Sequence, residues 1–220
     1  MRKVVIGAQL SLDGVMQAPG GAQEDPTQGF QFGGWSVPYW DDDALGELMG
    51  RMFGTPYELL LGRKTYEIFA GYWPHHDDNP IGKAFNTVRK YVATSSRAPL
   101  TWHNSVAIHD AAKDVAKLNQ QDGPILLTQG STVLLQTLLK NDLVDELQLV
   151  VFPLVLGKGK RLFGDGTIPA ALKVVESKVS RKGVAMLRYQ RDGAVKTGSF
   201  GPDTPSPAEL ARREKIKREG

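Results

Sequence analysis

The chain has 220 residues, a hydrophobic fraction of 41% and a formal net charge of +3, which suits one domain with a sizeable core. It contains no cysteine, which excludes disulfides, thiolate nucleophiles and cysteine-bound zinc. No apolar run approaches the roughly 20 residues that cross a bilayer, so we expect no membrane span. Much of the positive charge lies near the C-terminus, so we do not expect a nucleic-acid partner.

The start of the chain has basic residues followed by an apolar run, as a secretion signal does. Gln9, Ser11 and Asp13 interrupt that run, and no small-residue cleavage site follows. The pattern therefore predicts a first β-strand, and we expect a cytoplasmic protein.

Apolar patterns separated by turn residues predict alternating strands and helices. Strands are predicted at 4–10, 57–61, 90–94, 125–128 and 144–152, and a closing pair at 172–180 and 184–190. Helices are predicted at 41–53, 62–70, 110–118 and 132–139. The alternation favours an α/β domain with helices on both faces of a mostly parallel sheet, and the closing pair predicts an antiparallel edge.

Residues 193–220 differ from the rest in composition. Glycine and proline are frequent at first, and a very polar segment that begins near Ser206 could form a short helix. We therefore predict one domain over residues 1–192 and a polar, basic tail over 193–220.

Three predicted strands end in residues that suit phosphate. One runs into Gly62-Arg63-Lys64-Thr65, where a helix start aims free N–H groups at one point. Another leads into Gly130-Ser131-Thr132-Val133 in the same arrangement, and a third ends in Thr94-Ser95-Ser96-Arg97, whose hydroxyls and guanidinium suit a monophosphate. An ordinary polar turn explains each motif alone. Together they would meet at the carboxyl edge of the sheet, where such folds bind ligands.

Several segments carry a family resemblance. Residues 8–15 are similar to a first strand with its active-site loop, and residues 61–67 match a strand–Gly–Arg–x–Thr–aromatic–Glu motif. Gly130-Ser131 stands where the family has a glycine pair, and residues 144–147 and 153–159 resemble one branch more closely. Over about residues 3 to 191 the chain resembles the dihydrofolate reductase superfamily, in the branch of the riboflavin-biosynthesis reductase domain.

The resemblance implies a dihydrofolate reductase-like three-layer α/β/α fold and NADPH as the cofactor. It assigns the cofactor phosphates to Gly62, Arg63, Lys64 and Thr65, the 2′-phosphate to Thr94, Ser95, Ser96 and Arg97, and the pyrophosphate to Gly130, Ser131, Thr132 and Val133. It also places Ala8 beside the nicotinamide carboxamide and sets Asp13 and Gly14 around the nicotinamide pocket.

The proton donor is where the chain departs from the family. Dihydrofolate reductases use a carboxylate on the first helix, and the matching position here falls near Gly46. Glu47 is one residue away, about a quarter turn around the helix. The candidates are Asp13, Glu47, Tyr66 or water. Asp13 could instead shape a turn, and Tyr66 could be a wall of the pocket.

An aromatic set near two inserts could stack on a flat heterocycle, or cover the core or a dimer surface. It comprises Trp35, Tyr39, Trp40, Tyr72 and Trp73. On the substrate side we expect Trp35, Tyr39, Phe152 and Gly157. We expect no metal at 75–78, because adjacent residues rarely converge on one ion.

The function expected from these observations is NADPH-dependent hydride transfer to a pyrimidine- or pterin-like heterocycle. The ribosylamino-pyrimidine reductase of riboflavin synthesis is one such activity. The alternative is a nucleotide-binding protein that kept the fold without turnover. A homodimer is possible, and the apolar segment 147–156 could supply its interface.

Overall fold

The computed structural model describes residues 1–165, 167–201 and 204–219, excepting the side chains of residues 42–45, 48 and 51. The strands are β1 (Val4–Ser11), β2 (Tyr57–Gly62), β3 (Lys90–Ala93), β4 (Ser105–Ile108), β5 (Ile125–Gln129), β6 (Glu146–Phe152), β7 (Leu172–Val179) and β8 (Ala185–Arg191). The helices are α1 (Asp42–Gly54), α2 (Arg63–Tyr72), α3 (Pro80–Thr87), α4 (Ala111–Asn119), α5 (Thr132–Lys140) and α6 (Pro207–Glu219).

The strands form one mixed sheet of eight, in the order β4-β3-β2-β5-β1-β6-β8-β7. The first six are parallel neighbours from β4 to β6, while β8 runs antiparallel to both β6 and β7. The predicted mostly parallel sheet with an antiparallel C-terminal edge is therefore confirmed.

Alternate side chains of the central strands supply the two faces of the core, as the two-residue period of a strand requires. Ile6, Leu60 and Leu126 pack on one face with residues of α4 and α5. Val5, Leu59 and Leu127 pack on the other face with residues of α1, α2 and α3. This arrangement is the expected three-layer α/β/α fold.

Two elements were not predicted from the sequence. Helix α3 begins with Pro80, and the Asn79 side chain accepts a hydrogen bond from the Ile81 N–H, a helix start that the sequence does signal. Strand β4 lies at the edge of the sheet, and two of its four side chains are exposed. Its apolar pattern is too short to stand out.

A long ordered loop connects β1 to α1, and its centre is the buried side chain of Gln17. The Gln17 amide nitrogen donates to the carbonyls of Asp25 and Thr27, each at 3.0 Å, and its amide oxygen accepts from the Lys160 N–H at 3.1 Å. Because every polar atom of this amide is used inside the protein, the loop has a fixed shape.

Strand β6 lies between β1 and β8, so the apolar segment expected to form a dimer interface is largely interior. Leu147, Leu149, Val150 and Phe152 are all buried within the monomer. A homodimer through segment 147–156 remains a prediction, because residues 154–156 lie beyond the strand and Val155 is exposed.

Strand β8 ends at Arg191, just before the predicted start of the C-terminal tail. The Gly193 carbonyl accepts a hydrogen bond from the Ala171 N–H at 3.1 Å, which keeps it at the end of the β7–β8 pair. Helix α6 has no buried residue among those described. In the described part of the chain, no helix combines the length and apolar character needed to cross a membrane.

Candidate functional site

A cavity of about 1310 Å³ opens at the carboxyl ends of the parallel strands. Its wall includes the ends of β2, β3 and β5, the first turns of α2 and α5, and residues 16–21 of the loop after β1. Single-ligand sites usually measure roughly 300–1,000 Å³, so this space suits a dinucleotide together with a second molecule.

Two helix starts meet at this cavity through direct contacts. The Gly62 N–H donates to the Ser131 hydroxyl oxygen at 2.8 Å, which joins the start of α2 to that of α5. A side chain at Gly130 would lie 3.5 Å from the Thr65 methyl carbon, so the two turns are packed against each other. Ser131 has a left-handed backbone (φ 70°, ψ 50°), which is uncommon outside glycine and often marks a functional turn.

The starts of α2 and α5 lack the side-chain caps that other helices have. Asn79 caps α3, Asp110 caps α4, and the Ser206 hydroxyl oxygen caps α6 by accepting a hydrogen bond from the Glu209 N–H. Neither Gly62 nor Ser131 caps its own helix, and the first turns of α2 and α5 contain no acidic residue. Unpaired N–H groups and the positive helix ends therefore face the cavity, which favours an anion there.

The residues expected at the cofactor phosphates line the cavity in three groups: Gly62, Arg63, Lys64 and Thr65; Thr94, Ser95 and Ser96; Gly130, Ser131, Thr132 and Val133. Their binding roles remain predictions. Arg97 is exposed on the same loop and does not line the cavity. The Thr94 hydroxyl oxygen accepts from the Ser96 N–H at 3.0 Å, so it shapes this loop.

Arg63 is held at the cavity by neighbours on both sides. Its Nε lies 2.6 Å from the Glu67 carboxylate, and its Nη1 donates to the Ala98 carbonyl at 3.1 Å. The guanidinium also lies over the Tyr66 ring. Arg63 thus connects α2 to the loop that carries Ser95, Ser96 and Arg97.

Strand β1 faces the cavity with Gly7 and Gln9 and not with Ala8, which was the expected contact. Ala8 is buried in the opposite core, because neighbouring side chains of a strand point to opposite faces. Gly14 lies in a turn whose N–H donates to the Ser11 carbonyl, away from the cavity. The Gln9 amide oxygen is buried, and no described residue donates a hydrogen bond to it.

Asp13 does not have the environment of a proton donor. Its carboxylate accepts from the Ser11 hydroxyl at 2.6 Å and from the N–H groups of Leu156 and Gly157 at 3.1 and 2.8 Å. Burial opposes ionisation of this group, but the hydrogen bonds outweigh it and lower the pKa of Asp13 to about 2. Asp13 fastens the loop after β1 to residues 156–157, so its assignment as a catalytic residue is corrected.

The other two catalytic candidates also have structural roles. Glu47 is exposed on α1, and its Oε2 lies 2.5 Å from the Lys178 Nζ on β7, outside the cavity. Tyr66 is buried, and its hydroxyl oxygen accepts from the Trp102 N–H at 2.8 Å. Neither side chain lines the cavity, so neither expectation agrees with the structure.

The residues expected on the substrate side are mostly packing residues. Trp35 and Phe152 are buried and meet edge to face at 5.3 Å, and Tyr39 packs on Phe152 at 6.3 Å. The Trp35 indole also donates to the Gln17 carbonyl at 2.8 Å. Gly157 is a turn that holds Asp13. None of these four residues lines the cavity. The sequence alone does not distinguish an aromatic side chain that packs inside a folded loop from one that faces a ligand.

Several cavity residues were missed by the sequence interpretation: Gln9, Glu24, Met49, Phe53, His109 and Lys160. Of the aromatic set expected near a heterocycle, Trp40, Tyr72 and Trp73 do line the cavity. Gln9 had a signal, since it is a polar residue within an apolar strand. His109 follows β4, which was not predicted, and its Nδ1 lies 2.8 Å from the Thr94 carbonyl oxygen.

The histidine-rich segment near residue 75 has ordinary partners. His76 stacks on Tyr72 at 3.8 Å, and its Nδ1 lies 2.7 Å from the Tyr72 carbonyl oxygen. Asp77 accepts from the Asn86 amide. Among the described residues, no three acidic or histidine side chains are grouped to hold a metal ion.

The mixed sheet and the cavity at its carboxyl edge define an α/β protein with a dihydrofolate reductase-like fold. The chain belongs to the family of the RibD C-terminal domain, whose model matches residues 2–186.

Two proteins of Bacillus subtilis strain 168 are similar over most of their length. The uncharacterized protein YyaP is 26% identical over 201 residues, which cover 87% of this chain and 96% of YyaP. The uncharacterized protein YwjB is 27% identical over 197 residues, which cover 86% of this chain and 98% of YwjB.

Solved structures share the fold. A putative riboflavin biosynthesis protein from Shewanella sp. PV-4 has a TM-score of 0.55 and 22% identity, covering 86% of this chain and 99% of that chain. Dihydrofolate reductase from Enterococcus faecalis, complexed with NADP(H) and RAB-propyl, has a TM-score of 0.56 and 15% identity, covering 86% and 96%. A pyrimidine reductase-like protein from Corynebacterium diphtheriae has a TM-score of 0.55 and 12% identity, covering 87% and 92%.

Proposed function

We propose that this protein is an NADPH-dependent reductase that delivers a hydride to a flat, pyrimidine- or pterin-like heterocycle. The pair of uncapped helix starts at one cavity is the observation that carries the proposal. Capping side chains occur at α3, α4 and α6, and their absence at Gly62 and Ser131 leaves backbone donors for a diphosphate.

The cavity residues fit the remaining parts of this cofactor. Ser95 and Ser96 line the wall next to the α2 start, and Arg97 follows them on the exposed loop, so hydroxyls and a guanidinium can meet a 2′-phosphate. Gln9 offers an unpaired amide oxygen at β1, which suits a donor such as a carboxamide. When bound, NADPH supplies the hydride, and the protein supplies binding and orientation.

The test is a fluorescence titration with NADPH and with NADH. We expect NADPH to bind more tightly than NADH. Arg97→Ala should weaken NADPH binding about tenfold, which corresponds to about 1.4 kcal/mol, and should leave NADH binding unchanged. Arg63→Ala is expected to weaken both nucleotides, because it removes a cavity cation and releases the 95–98 loop from α2.

Arg89→Ala is the matched control, because Arg89 is an exposed arginine that precedes β3, at the opposite end of the strand from Arg97. Equal effects of Arg89→Ala and Arg97→Ala would contradict the assignment, and failure to bind either nucleotide would end the proposal. Tight NADPH binding without turnover on any heterocycle would favour a nucleotide-binding protein. Glu47 is paired with Lys178 and does not line the cavity, and this observation favours the nucleotide-binding protein without turnover.

A further inference from the structure

A reductase of this kind needs a proton for the heterocycle. Among the described side chains of α1, no carboxylate lines the cavity, because Glu47 is paired with Lys178 outside it. Three described carboxylates do line the cavity, namely Glu24, Asp25 and Glu67. Glu67 is more than half exposed and paired with Arg63, and the Asp25 Oδ2 lies 2.5 Å from the Lys160 Nζ. Both carboxylates are therefore paired with a neighbouring cation.

Glu24 differs from these two in its contacts. Its Oε2 accepts from the Gly20 N–H at 2.7 Å and from the Gly21 N–H at 3.2 Å. No described residue donates to its other oxygen, Oε1, and no described cation pairs with it. A proton on this carboxyl would therefore sit on Oε1, since Oε2 is occupied by two donors.

The surroundings of Glu24 raise the pKa of its carboxyl. Burial is the largest cause, the N–H groups of Gly20 and Gly21 act against it, and the negative charge of Asp25 adds to it. Asp25 is itself ion-paired with Lys160, whose Nζ lies 2.5 Å from Asp25 Oδ2. The loop itself is fixed by the buried Gln17 amide, so the carboxyl is presented by a rigid wall.

We propose that Glu24, on the loop between β1 and α1, is the catalytic proton donor that takes the place of the helix carboxylate. This inference rests on the proposed function. A ring carbon of a C=N bond gains the hydride of NADPH and forms a C–H bond, and the π electron pair moves to the ring nitrogen. That nitrogen takes the proton from Glu24 Oε1, NADP⁺ is the oxidised product, and the Glu24 carboxylate regains a proton from water.

The test uses 2,4-diaminopyrimidine as a probe, because its ring nitrogen can take a proton and its amino groups can pair with a carboxylate. Binding to the NADPH-loaded full-length chain is measured by calorimetry, and protonation of the bound probe is read from its ultraviolet difference spectrum. Glu24→Gln is the key variant, since its amide oxygen can still accept from Gly20 and Gly21. Asp122→Asn is the matched control, as Asp122 is an exposed carboxylate beside the N-terminus.

We expect wild type and Asp122→Asn to bind the probe in its protonated form, and Glu24→Gln to bind at least tenfold more weakly with the probe unprotonated. Equal affinity and protonation in Glu24→Gln, or no binding of the probe by wild type, would overturn the inference. NADPH affinity is measured in the same samples and is expected to agree within twofold. If wild type does not bind NADPH, the proposed function itself is rejected. If wild type binds NADPH but the probe results are not as expected, only the role of Glu24 is rejected.

Discussion

Lys90 is the most unusual single residue outside the cavity, because it is fully buried at the start of β3. Its ammonium donates to the carbonyls of Asn86, Val88 and His103 and lies 4.3 Å from the centre of the Trp102 ring. Burial lowers the pKa of Lys90 to about 8, from an ordinary value of 10.5. The charged form is therefore less favourable in the folded protein than in the unfolded chain.

This lysine predicts a pH dependence of stability. Between pH 8 and 10.5 the unfolded chain binds more protons at Lys90 than the folded protein does, so its contribution to the free energy of unfolding rises with pH over that window. Lys90→Met should remove that rise, whereas Lys83→Met, at an exposed lysine of α3, should keep it. Urea unfolding at pH 7.5 to 10.5, taken as differences between variants, checks this. Parallel curves for wild type and Lys90→Met would contradict it.

Asp13 gives the opposite dependence, because the folded protein lowers the pKa of its carboxyl to about 2. Its stabilising effect is complete above the ordinary pKa of about 3.8 and is lost as the pH falls through 2. Asp13→Asn places an amide against the N–H groups of Leu156 and Gly157, so we expect the free energy of unfolding at pH 7 to fall by about 1–3 kcal/mol. Denaturation across acid pH measures this, with the exposed Asp165→Asn as control. A difference that persists undiminished at pH 2 would refute the explanation.

At the scale of the helices, the starts of α2 and α5 lack the stabilisation that a capping side chain supplies. Thr132→Asp adds an acid to the first turn of α5, which should favour the helix by about 0.3–1 kcal/mol. It also places a negative charge where the pyrophosphate is proposed to lie, so NADPH affinity should fall at least tenfold. Ala208→Asp puts the same acid in the first turn of α6, on a helix that does not reach the cavity, and should leave NADPH binding unchanged.

Thermal unfolding and NADPH titration of both variants provide the measurement. A gain in stability with unchanged affinity for Thr132→Asp would show that the start of α5 does not receive the cofactor. A loss of affinity in Ala208→Asp as well would point to a general effect of charge.

The elements that the sequence predicted well are those with strong apolar patterns and clear ends. Strands β1, β2, β5 and β6 and helices α2, α4 and α5 all appear within a few residues of the expected positions. Strand β4 was missed because it has only four residues, too few for an alternation of apolar and polar side chains to be recognised. Helix α3 was missed although Asn79-Pro80 is a recognisable helix start, because its pattern spans only eight residues.

The candidate site divides in the same way. The position of the turns expected to bind phosphate could be predicted, because glycine and hydroxyl residues at strand ends are local signals, and these turns do line the cavity. The substrate side could not be predicted, since it is formed by a long loop whose shape depends on contacts across the chain. Trp35 and Phe152 pack against each other, while Glu24 lines the cavity, in a loop that the contact between Gln17 and Lys160 helps to hold.

For the molecule as a whole, the remaining question is whether the C-terminal tail belongs to the folded unit. Helix α6 has no buried residue among those described, and its charged side chains pair with one another at spacings of three and four residues. Exposed pairs of this kind contribute little to stability. Just beyond the end of β8, the Gly193 carbonyl accepts a hydrogen bond from the Ala171 N–H.

We expect truncation after Lys196 to change the free energy of unfolding by less than about 0.5 kcal/mol, as is usual for surface changes away from packed features. NADPH affinity should also be unchanged, because no described residue of the tail lines the cavity. Urea unfolding and fluorescence titration of the two lengths measure this, and truncation after Asp192 is the informative comparison. That cut removes the Gly193 acceptor and should lower stability, because the Ala171 N–H loses its partner at the end of β7 and β8. A loss above 1 kcal/mol on truncation after Lys196 would instead show that the tail packs on the domain.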